Sequence, residues 1–290
     1  MNNLKVLADY LEVTKPRATF LLAFIGVAAA VIGSGGAGIG FERLFFIIFT
    51  ILAAAAGANG LTNYLDRNVD AQMARTKHRA LAAKRIRPPE KVLPMLLGLV
   101  AAGLVLTWFI TPDQPWHPAF LADVIGTLAS VVWRKRATCV FPQGLLAGCA
   151  PVVIGWFAVN PRFTWALALL CLLIGLWLPL HVWSVMVANR DDYVRAGIAF
   201  FPVNRENAVA FKLLSGFVLA LVAASLALYF AGGFSVLYLA AALLLGGLMV
   251  LATSRLKGQN FSRNAWKLYK LSSFPYLGLI FLAMIIDVYL

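Results

Sequence analysis

The feature that most constrains this chain is its series of long apolar stretches, which short polar segments separate. The hydrocarbon core of a bilayer is about 30 Å thick, so a helix that crosses it needs about 20 mostly apolar residues. Nine stretches meet or approach that length, and they cover residues 17–34, 43–62, 93–111, 118–133, 139–159, 163–187, 209–230, 233–253 and 271–290. The sequence therefore predicts an all-α polytopic membrane protein, a bundle of about nine transmembrane helices that forms one domain over residues 1–290.

The distribution of positive charge predicts how the bundle is oriented. The net charge is +13, and with a cytoplasmic N-terminus all of the 25 Lys and Arg residues except Arg43 and Arg162 fall in inner segments. Cytoplasmic segments of membrane proteins carry such an excess of Lys and Arg. We therefore expect a multi-pass protein of the cell (plasma) membrane with a cytoplasmic N-terminus. The basic charge needs no nucleic acid as a partner.

A polar segment, NYLDRNVDAQMARTKHRAL (residues 63–81), follows the second apolar stretch. Asp66 and Asp70 are four positions apart, and Asn63 precedes Asp66 by three, so on a continuing helix these side chains share a face. Two like charges on one face repel unless a cation lies between them, and such hard oxygen ligands suit Mg²⁺ bound to phosphate oxygens. Three cations follow: Arg75, Lys77 and Arg79. Carboxylates, metal and cations together form the components of a diphosphate site.

A second acidic segment, LHVWSVMVANRDDYVRAGIAFFP (residues 180–202), follows the sixth apolar stretch. With nine spans it lies on the same inner face as the first segment. The 3–4 residue spacing places His181 near the helix face of Asp191 and Asp192. We therefore expect the two acidic segments to meet around one anion, in an active site that opens on the cytoplasmic side.

Both segments resemble the motifs of the protoheme IX farnesyltransferases (heme O synthases), a family within the UbiA-type intramembrane prenyltransferase superfamily. The first motif of that family reads approximately NxxDRDIDAxMxRTxxRPL, and the second reads approximately PHFWxLxxxxxxDYxxAGIPMLP. The stretches LEVTKPRAT, APVVIGW and NAWKLYKLS also resemble the family. The resemblance thus spans nearly the whole chain.

The resemblance implies roles for individual residues. The catalytic set that it implies is Asp66, Asp70, Asp191, Asp192 and Tyr193, of which Asp66, Asp70 and Asp192 would bind Mg²⁺. The diphosphate would be bound by Asn63, Arg75, Lys77 and Arg79, together with the basic pair Lys135 and Arg136 of the loop between the fourth and fifth stretches. His181 would contact heme, as an axial ligand or a propionate partner.

The resemblance also implies the reaction and its partners. A farnesyl group would pass from farnesyl diphosphate to a vinyl group of heme b, with Mg²⁺ as cofactor, and water would complete the side chain of heme O. Heme would be a substrate that passes through, not a prosthetic group. A heme A synthase or a terminal oxidase would receive the product.

Several positions depart from the family pattern, and they leave the acceptor open. Leu180 replaces the proline before His181, and Ala137 and Val140 replace Thr and Asn after the basic pair. One alternative is therefore a UbiA-type enzyme that acts on a quinone precursor, a chlorin or a lipid headgroup. A second alternative, an ion-coupled transporter, predicts acids near the middle of the membrane. Asp123 is such an acid, and we expect it to face the bundle interior in a hydrogen-bonded structural role.

Overall fold

The computed structural model describes residues 3–111, 117–132, 141–199 and 201–290, with the backbone alone at 141–144. The regular structure in these ranges is helical, which confirms the all-α class. The helices are α1 (Asn3–Val13), α2 (Pro16–Gly33), α3 (Phe41–Leu65), α4 (Arg67–Asp70), α5 (Leu93–Ile110), α6 (Pro118–Val132), α7 (Phe141–Phe157), α8 (Trp165–Ala188), α9 (Arg190–Arg195), α10 (Asn207–Gly232), α11 (Val236–Ser254), α12 (Phe261–Leu271) and α13 (Leu279–Val288). Short 3₁₀ stretches, Pro89–Val92 and Arg255–Lys257, adjoin α5 and α11, and a π-helical stretch, Ser272–Gly278, joins α12 to α13.

Within the described residues, seven helical segments are long and apolar enough to cross a membrane. They are Pro16–Gly33, Phe41–Leu65, Pro89–Ile110, Trp165–Ala188, Asn207–Gly232, Val236–Lys257 and Phe261–Val288. The fourth and fifth predicted spans correspond to the shorter apolar helices α6 and α7. Because α6 has 15 residues, it extends about 22 Å and falls short of the hydrocarbon core. The predicted count of about nine spans is therefore not confirmed.

The last span begins earlier than the sequence predicts. The predicted stretch starts at residue 271, whereas the helix starts at Phe261. Hydropathy misses α12 because the helix is amphipathic: Phe261, Ala265 and Leu268 are buried, and charged side chains occupy the opposite face. Pro275 lies inside the π-helical stretch that follows.

Helices α2 and α8 lie at the centre of the bundle and contribute to the wall of the space in which the candidate site lies. Helix α2 packs against α3, α7 and α13, and α8 packs against α7, α10 and α12. The crossing of α2 and α7 is a backbone contact at two glycines. A Cβ atom added to Gly155 would lie 1.8 Å from the carbonyl oxygen of Gly26, so no larger residue fits there.

The carboxylate of Asp287 fastens α13 to the start of α11. It accepts hydrogen bonds from the backbone N–H of Ser235 (2.7 Å), the Ser235 hydroxyl and the backbone N–H of Tyr238 (3.1 Å). The first N–H groups of a helix have no partner within it, so Asp287 acts as the cap of α11. Both of its oxygens are occupied in this structural role.

Candidate active site

The first acidic segment lies where α3 gives way to the single turn of α4. The backbone N–H of Asp66 donates to Thr62 (2.9 Å), and that of Asp70 donates to Asp66 (2.8 Å), so the helical register continues across the junction. Asp66 and Asp70 are consequently one helical turn apart on one face. Both carboxylates are buried at the C-terminal end of α3.

Arg79 offsets the repulsion between these two carboxylates. One nitrogen of its guanidinium group, Nη1, lies 2.9 Å from Oδ2 of Asp70 and 3.4 Å from Oδ1 of Asn63. The Asp70 side chain is 1% exposed, and that of Arg79 is 27% exposed. Asn63 in turn donates from Nδ2 to the carbonyl oxygen of Val13 (3.0 Å), at the end of α1. The loop after α4 therefore folds back so that Arg79 meets the carboxylate of Asp70.

The second acidic segment meets the same loop through Asp192, which lies in α9. Oδ2 of Asp192 accepts from the backbone N–H of Arg75 (3.1 Å), and Oδ1 accepts from Nη2 of Arg195 (2.5 Å). Burial raises the pKa of this carboxyl, but the hydrogen bonds from the backbone N–H groups of Arg75 and Ala74 and from Arg195 outweigh it, so the pKa lies below its ordinary value. Asp192 is thus an anion that holds the basic loop against α9.

Tyr193 lies next to this contact and is 3% exposed. Burial raises the pKa of its hydroxyl above the ordinary value, although Arg75 hydrogen-bonds to it. The hydroxyl therefore stays protonated at neutral pH and can donate a hydrogen bond to an anion. Two segments that are more than a hundred positions apart in sequence thus converge at one place.

The other predicted site residues lie elsewhere. Lys77 and Asp191 are exposed at the surface, and neither lines the cavity described below. Lys135 and Arg136 lie outside the described residues, as do Ala137 and Val140.

A cavity of about 360 Å³ opens beside the converging segments. At one end it is lined by the polar side chains of Lys15, Asp66, Arg79 and Tyr193. The remaining wall is mainly apolar and aromatic, with contributions from α2, α3, α6, α7, α8 and α12. A site with charge at one end and an apolar body fits an amphipathic substrate.

Lys15 is a cavity residue that the sequence interpretation did not assign to the site. It lies in the LEVTKPRAT stretch just before α2 and was counted only as a cytoplasmic charge. Its Nζ donates to Oγ1 of Thr62 (2.9 Å), which lies one turn before Asp66 on α3. The backbone of Lys15 has φ of 53°, in the left-handed region. The only sequence signal is a cation next to a proline at a helix start.

His181 lies in the aromatic wall of the cavity, and its contacts determine its tautomer. Its ring stacks on Trp177 with centroids 4.9 Å apart and lies 4.5 Å from the ring of Tyr269. The hydroxyl of Ser272 donates its one proton to the carbonyl oxygen of Tyr269 (2.9 Å). Toward His181 the same hydroxyl must therefore be the acceptor, and Nδ1 of His181 donates to it (3.0 Å). Nε2 is then the nitrogen with a lone pair, and it can accept a hydrogen bond or bind a metal.

The carboxylates fit a divalent cation of the Mg²⁺ type only when substrate supplies further ligands. Among the described residues no group of three or more His, Cys, Asp or Glu side chains is close enough to hold a metal ion. Mg²⁺ commonly uses one or two carboxylates together with substrate phosphates and water. Asp66 lines the cavity and Asp70 lies one turn away, so this pair can provide the protein share of such a site.

Comparison with known proteins gives one family and one fold. The profile of the UbiA prenyltransferase family matches residues 19–274. The chain is 34% identical to a protoheme IX farnesyltransferase from Desulforudis audaxviator, over 97% of this chain and 88% of the relative. It is 33% identical to a protoheme IX farnesyltransferase from Symbiobacterium thermophilum, over 98% and 95% of the two chains.

Two solved structures share the fold. A structure described as digeranylgeranylglyceryl phosphate synthase superposes with a TM-score of 0.75 at 18% identity, over 98% of each chain. A UbiA homolog from Archaeoglobus fulgidus, bound to GPP and Mg²⁺, superposes with a TM-score of 0.62 at 14% identity, over 97% of this chain and 100% of that one. At these identities the likeness concerns the fold alone.

Proposed function

This chain belongs to the UbiA prenyltransferase family and is a multi-pass membrane prenyltransferase, and we propose that it transfers a farnesyl group from farnesyl diphosphate to a vinyl group of heme b, giving heme O. The proposal is carried by one observation: a cavity with Asp66, Lys15 and Arg79 at one end has His181 on its aromatic wall. The names of the relatives, which match over nearly the whole chain, support the same acceptor.

The charged end of the cavity is the proposed diphosphate site. Asp66 and Asp70 would hold Mg²⁺ together with the diphosphate oxygens. When bound, Mg²⁺ neutralises negative charge on the leaving diphosphate. Arg79 and Lys15 line this end and place further positive charge beside it, and the protonated hydroxyl of Tyr193 donates a hydrogen bond. Donors that are already oriented toward developing charge stabilise the transition state more than the ground state.

The second acidic segment has a supporting role in this proposal. Asp192 orients Arg75 and Tyr193 by holding the backbone of the basic loop. The role of Asp192 as a metal ligand stays a prediction; each of its oxygens accepts a hydrogen bond, and a carboxylate oxygen has a second lone pair. The roles predicted for Asp191, Lys77, Lys135 and Arg136 also stay predictions.

The aromatic wall is the proposed acceptor side. Trp177 and Tyr269 flank His181 with their rings, and such surfaces suit a flat, apolar ring system. Nε2 of His181 offers a lone pair toward the cavity contents, which suits a contact with the heme iron. Since Nδ1 is bound to Ser272, this partner fixes the orientation of the imidazole ring.

The test of the acceptor is expression in a host that lacks its own heme O synthase, followed by mass analysis of the extracted hemes. We expect a hydroxyethylfarnesyl heme. An unchanged heme profile together with prenylation of a quinone precursor, a chlorin or a lipid headgroup would contradict heme b as acceptor and retain prenyl transfer. The transporter alternative is set aside, because the family is one of enzymes.

The acceptor side is tested separately through His181. Replacing His181 with Ala should weaken heme use more than the binding of farnesyl diphosphate, since the imidazole would contact only the acceptor. Ser272→Ala is the matched variant, because it keeps the imidazole and removes the group that fixes its tautomer. Loss of diphosphate binding in His181→Ala would remove His181 from the acceptor side.

We also propose the topology and the extent of the functional unit. The protein would lie in the plasma membrane with its N-terminus in the cytoplasm, and one domain would comprise the whole chain, because cavity residues range from Lys15 to Tyr269. Tags near Pro88 and Gln259 should report the cytoplasmic side, and a tag near Gly38 should report the opposite side. A cytoplasmic Gly38 would contradict this orientation. A heme A synthase or a terminal oxidase remains the proposed recipient of the product.

A further inference from the structure

Asp123 is a buried carboxylate within the bundle, and its two oxygens differ in their hydrogen bonding. It lies in α6 and is 3% exposed. Its Oδ1 accepts a hydrogen bond from the hydroxyl of Thr127 (3.2 Å), whereas its Oδ2 has no hydrogen-bond partner in the part of the chain that the structure describes. Buried polar atoms are rarely left unsatisfied. Oδ2 therefore calls for a donor that the described residues do not supply.

Asp287 provides the comparison within the same molecule. It is also a buried carboxylate in a spanning helix, at 8% exposure, but donors from Ser235 and Tyr238 reach both of its oxygens. The two carboxylates are thus both buried, but they differ in whether each oxygen accepts a hydrogen bond. The structural role that explains Asp287 does not explain Asp123.

Asp123 lines a small second cavity of about 50 Å³, which we call the side branch. The polar groups around it are Asp123, Thr127 and Ser130 of α6 and Asn59 of α3. Space exists because the other lining residues of these helices and of α7 are mostly small, such as Ala54, Ala58 and Ala150. The side branch shares Asn59 and Ser130 with the wall of the main cavity, so the two spaces adjoin.

The size and lining of the side branch fit water. A water molecule needs about 10–15 Å³ of such volume and two to four polar partners, so the branch has room for about three. Asp123, Thr127 and Ser130 follow one another by four and then three positions, so they lie along one face of α6. Asn59 of α3 extends this row of polar side chains. A short file of water along this row would satisfy Oδ2 of Asp123.

We propose that the side branch stores the water that completes the reaction, and that Asp123 is the positioning residue that accepts the proton of that water. The inference rests on the proposed function. The C1–O bond of farnesyl diphosphate breaks and its electron pair leaves with the diphosphate. The vinyl π pair of the acceptor then forms the new C–C bond to C1, which leaves a cation on the adjacent carbon. Water from the branch forms the C–O bond there, and its proton passes along the file to the Asp123 carboxylate.

The position of the branch separates this water from the first cation. Asp123 and Ser130 are seven positions apart in α6, a distance of about 10 Å along the helix axis. The diphosphate end, with Asp66, lies on the opposite side of Ser130 and Asn59 along the bundle. Water held by Asp123 would therefore be stored about 10 Å from the wall that the two spaces share, away from the diphosphate end, where water would otherwise trap the prenyl cation.

The decisive experiment measures how the product partitions in Asp123→Asn, which keeps the shape of the side chain and cannot accept the proton. Diphosphate release should stay within about threefold of the unaltered protein. The yield of hydroxyethylfarnesyl heme should fall about a hundredfold, at the low end for loss of a general base. A prenylated heme lighter by one water should replace it, since the cation then loses a proton to the diphosphate. Unchanged product would overturn the role of Asp123.

Two further variants separate this effect from simple loss of structure. Ala55→Val narrows the side branch and leaves the carboxylate in place, and it should shift the product in the same direction. Asp287→Asn makes the same chemical change at the satisfied carboxylate, so it should lower the melting temperature and leave the product ratio unaltered. An equal shift in Asp287→Asn would assign the effect to packing and overturn the proposal.

Radiolytic labelling tests the water itself without any substrate. Hydroxyl radicals formed from bound water modify adjacent side chains, so Leu22, Ile51 and Ile154, which line the branch, should be modified in the unaltered protein. Asp123→Leu should abolish this labelling, and the core residue Leu170 should stay unmodified in both. An unlabelled branch would overturn the proposal. Labelling together with no heme product from the unaltered protein would instead reject the proposed function.

Discussion

The two acidic segments contain the same kinds of residue but use them differently. In the first, Asp66 lines the cavity and Asp70 pairs with Arg79 at the same end. In the second, Asp192 binds the backbone of the loop from the first segment, and Asp191 is exposed. A doubled acidic pattern therefore does not imply a symmetric site. In the proposed function the first segment contacts substrate, and the second holds the first in position.

The largest expected effect lies in the first segment. Asp66→Asn and Asp70→Asn should each lower turnover by about several hundredfold, because each would remove a ligand of the Mg²⁺ that stabilises charge on the leaving diphosphate. Diphosphate release in isolated membranes measures this, with the protein level in the membrane as control. Neutralising one of two neighbouring carboxylates relieves repulsion, and Arg79, which loses its ion pair in Asp70→Asn, is partly exposed and can reach water, so the level should stay normal. Normal turnover in the double variant would contradict a substrate-contacting role for the first segment.

The next effect concerns the cation between the first carboxylates. Arg79→Gln should lower turnover by about 30-fold, as expected for losing a hydrogen bond to a charged group. It should also lower stability by about 3 kcal/mol, the low end for breaking a buried ion pair, because Arg79 is partly exposed. Melting in detergent measures the second effect. Adding Asp70→Asn should restore stability and leave turnover low, and failure to restore it would show that the pair is not the cause.

A smaller effect is expected for the loop contact. Asp192→Asn should weaken the hold on the backbone at Arg75 and raise KM by about tenfold with a lesser change in kcat, as for the loss of about 1.4 kcal/mol of hydrogen bonding. Trypsin should then cleave faster after Arg75, Lys77 and Arg79. Unchanged cleavage together with a loss of kcat like that of Asp66→Asn would make Asp192 a direct participant.

The smallest effect is expected at Asp191. Because the side chain is exposed, Asp191→Asn should change stability by no more than about 0.5 kcal/mol, and turnover by about twofold or less. The same diphosphate-release assay serves for this variant, which is also the matched control for Asp192→Asn. A loss of a hundredfold would restore the predicted catalytic role of Asp191.

The fold was more predictable from sequence than the site. The positions of the long apolar stretches predicted most helix bounds to within about three residues. For example, the stretch 43–62 corresponds to the helix Phe41–Leu65. Hydropathy did not predict α12, because its average along the chain ignores which face is apolar. For α6 the bounds agree to within one residue, 118–133 against Pro118–Val132, but its 15 described residues are fewer than the about 20 that a span needs.

Within the site, sequence spacing predicted that Asp66 and Asp70 share a face, because helical register is local. It could not predict that Asp192 accepts from the backbone of Arg75 or that Lys15 reaches Thr62. Those contacts depend on how separate helices are placed in three dimensions. The tautomer of His181 likewise depends on Ser272, whose position follows from the π-helical stretch beside it.

The glycine contact between α2 and α7 bears on how a long isoprenoid tail could be accommodated. Leu22 of α2 and Ala147 of α7 line the cavity, and Gly26 and Gly155 close the seam between the same helices further along. Backbones in direct contact leave no lateral exit to the lipid at that seam. A tail longer than the cavity must leave between other helices, so selection for chain length is decided away from the α2–α7 crossing.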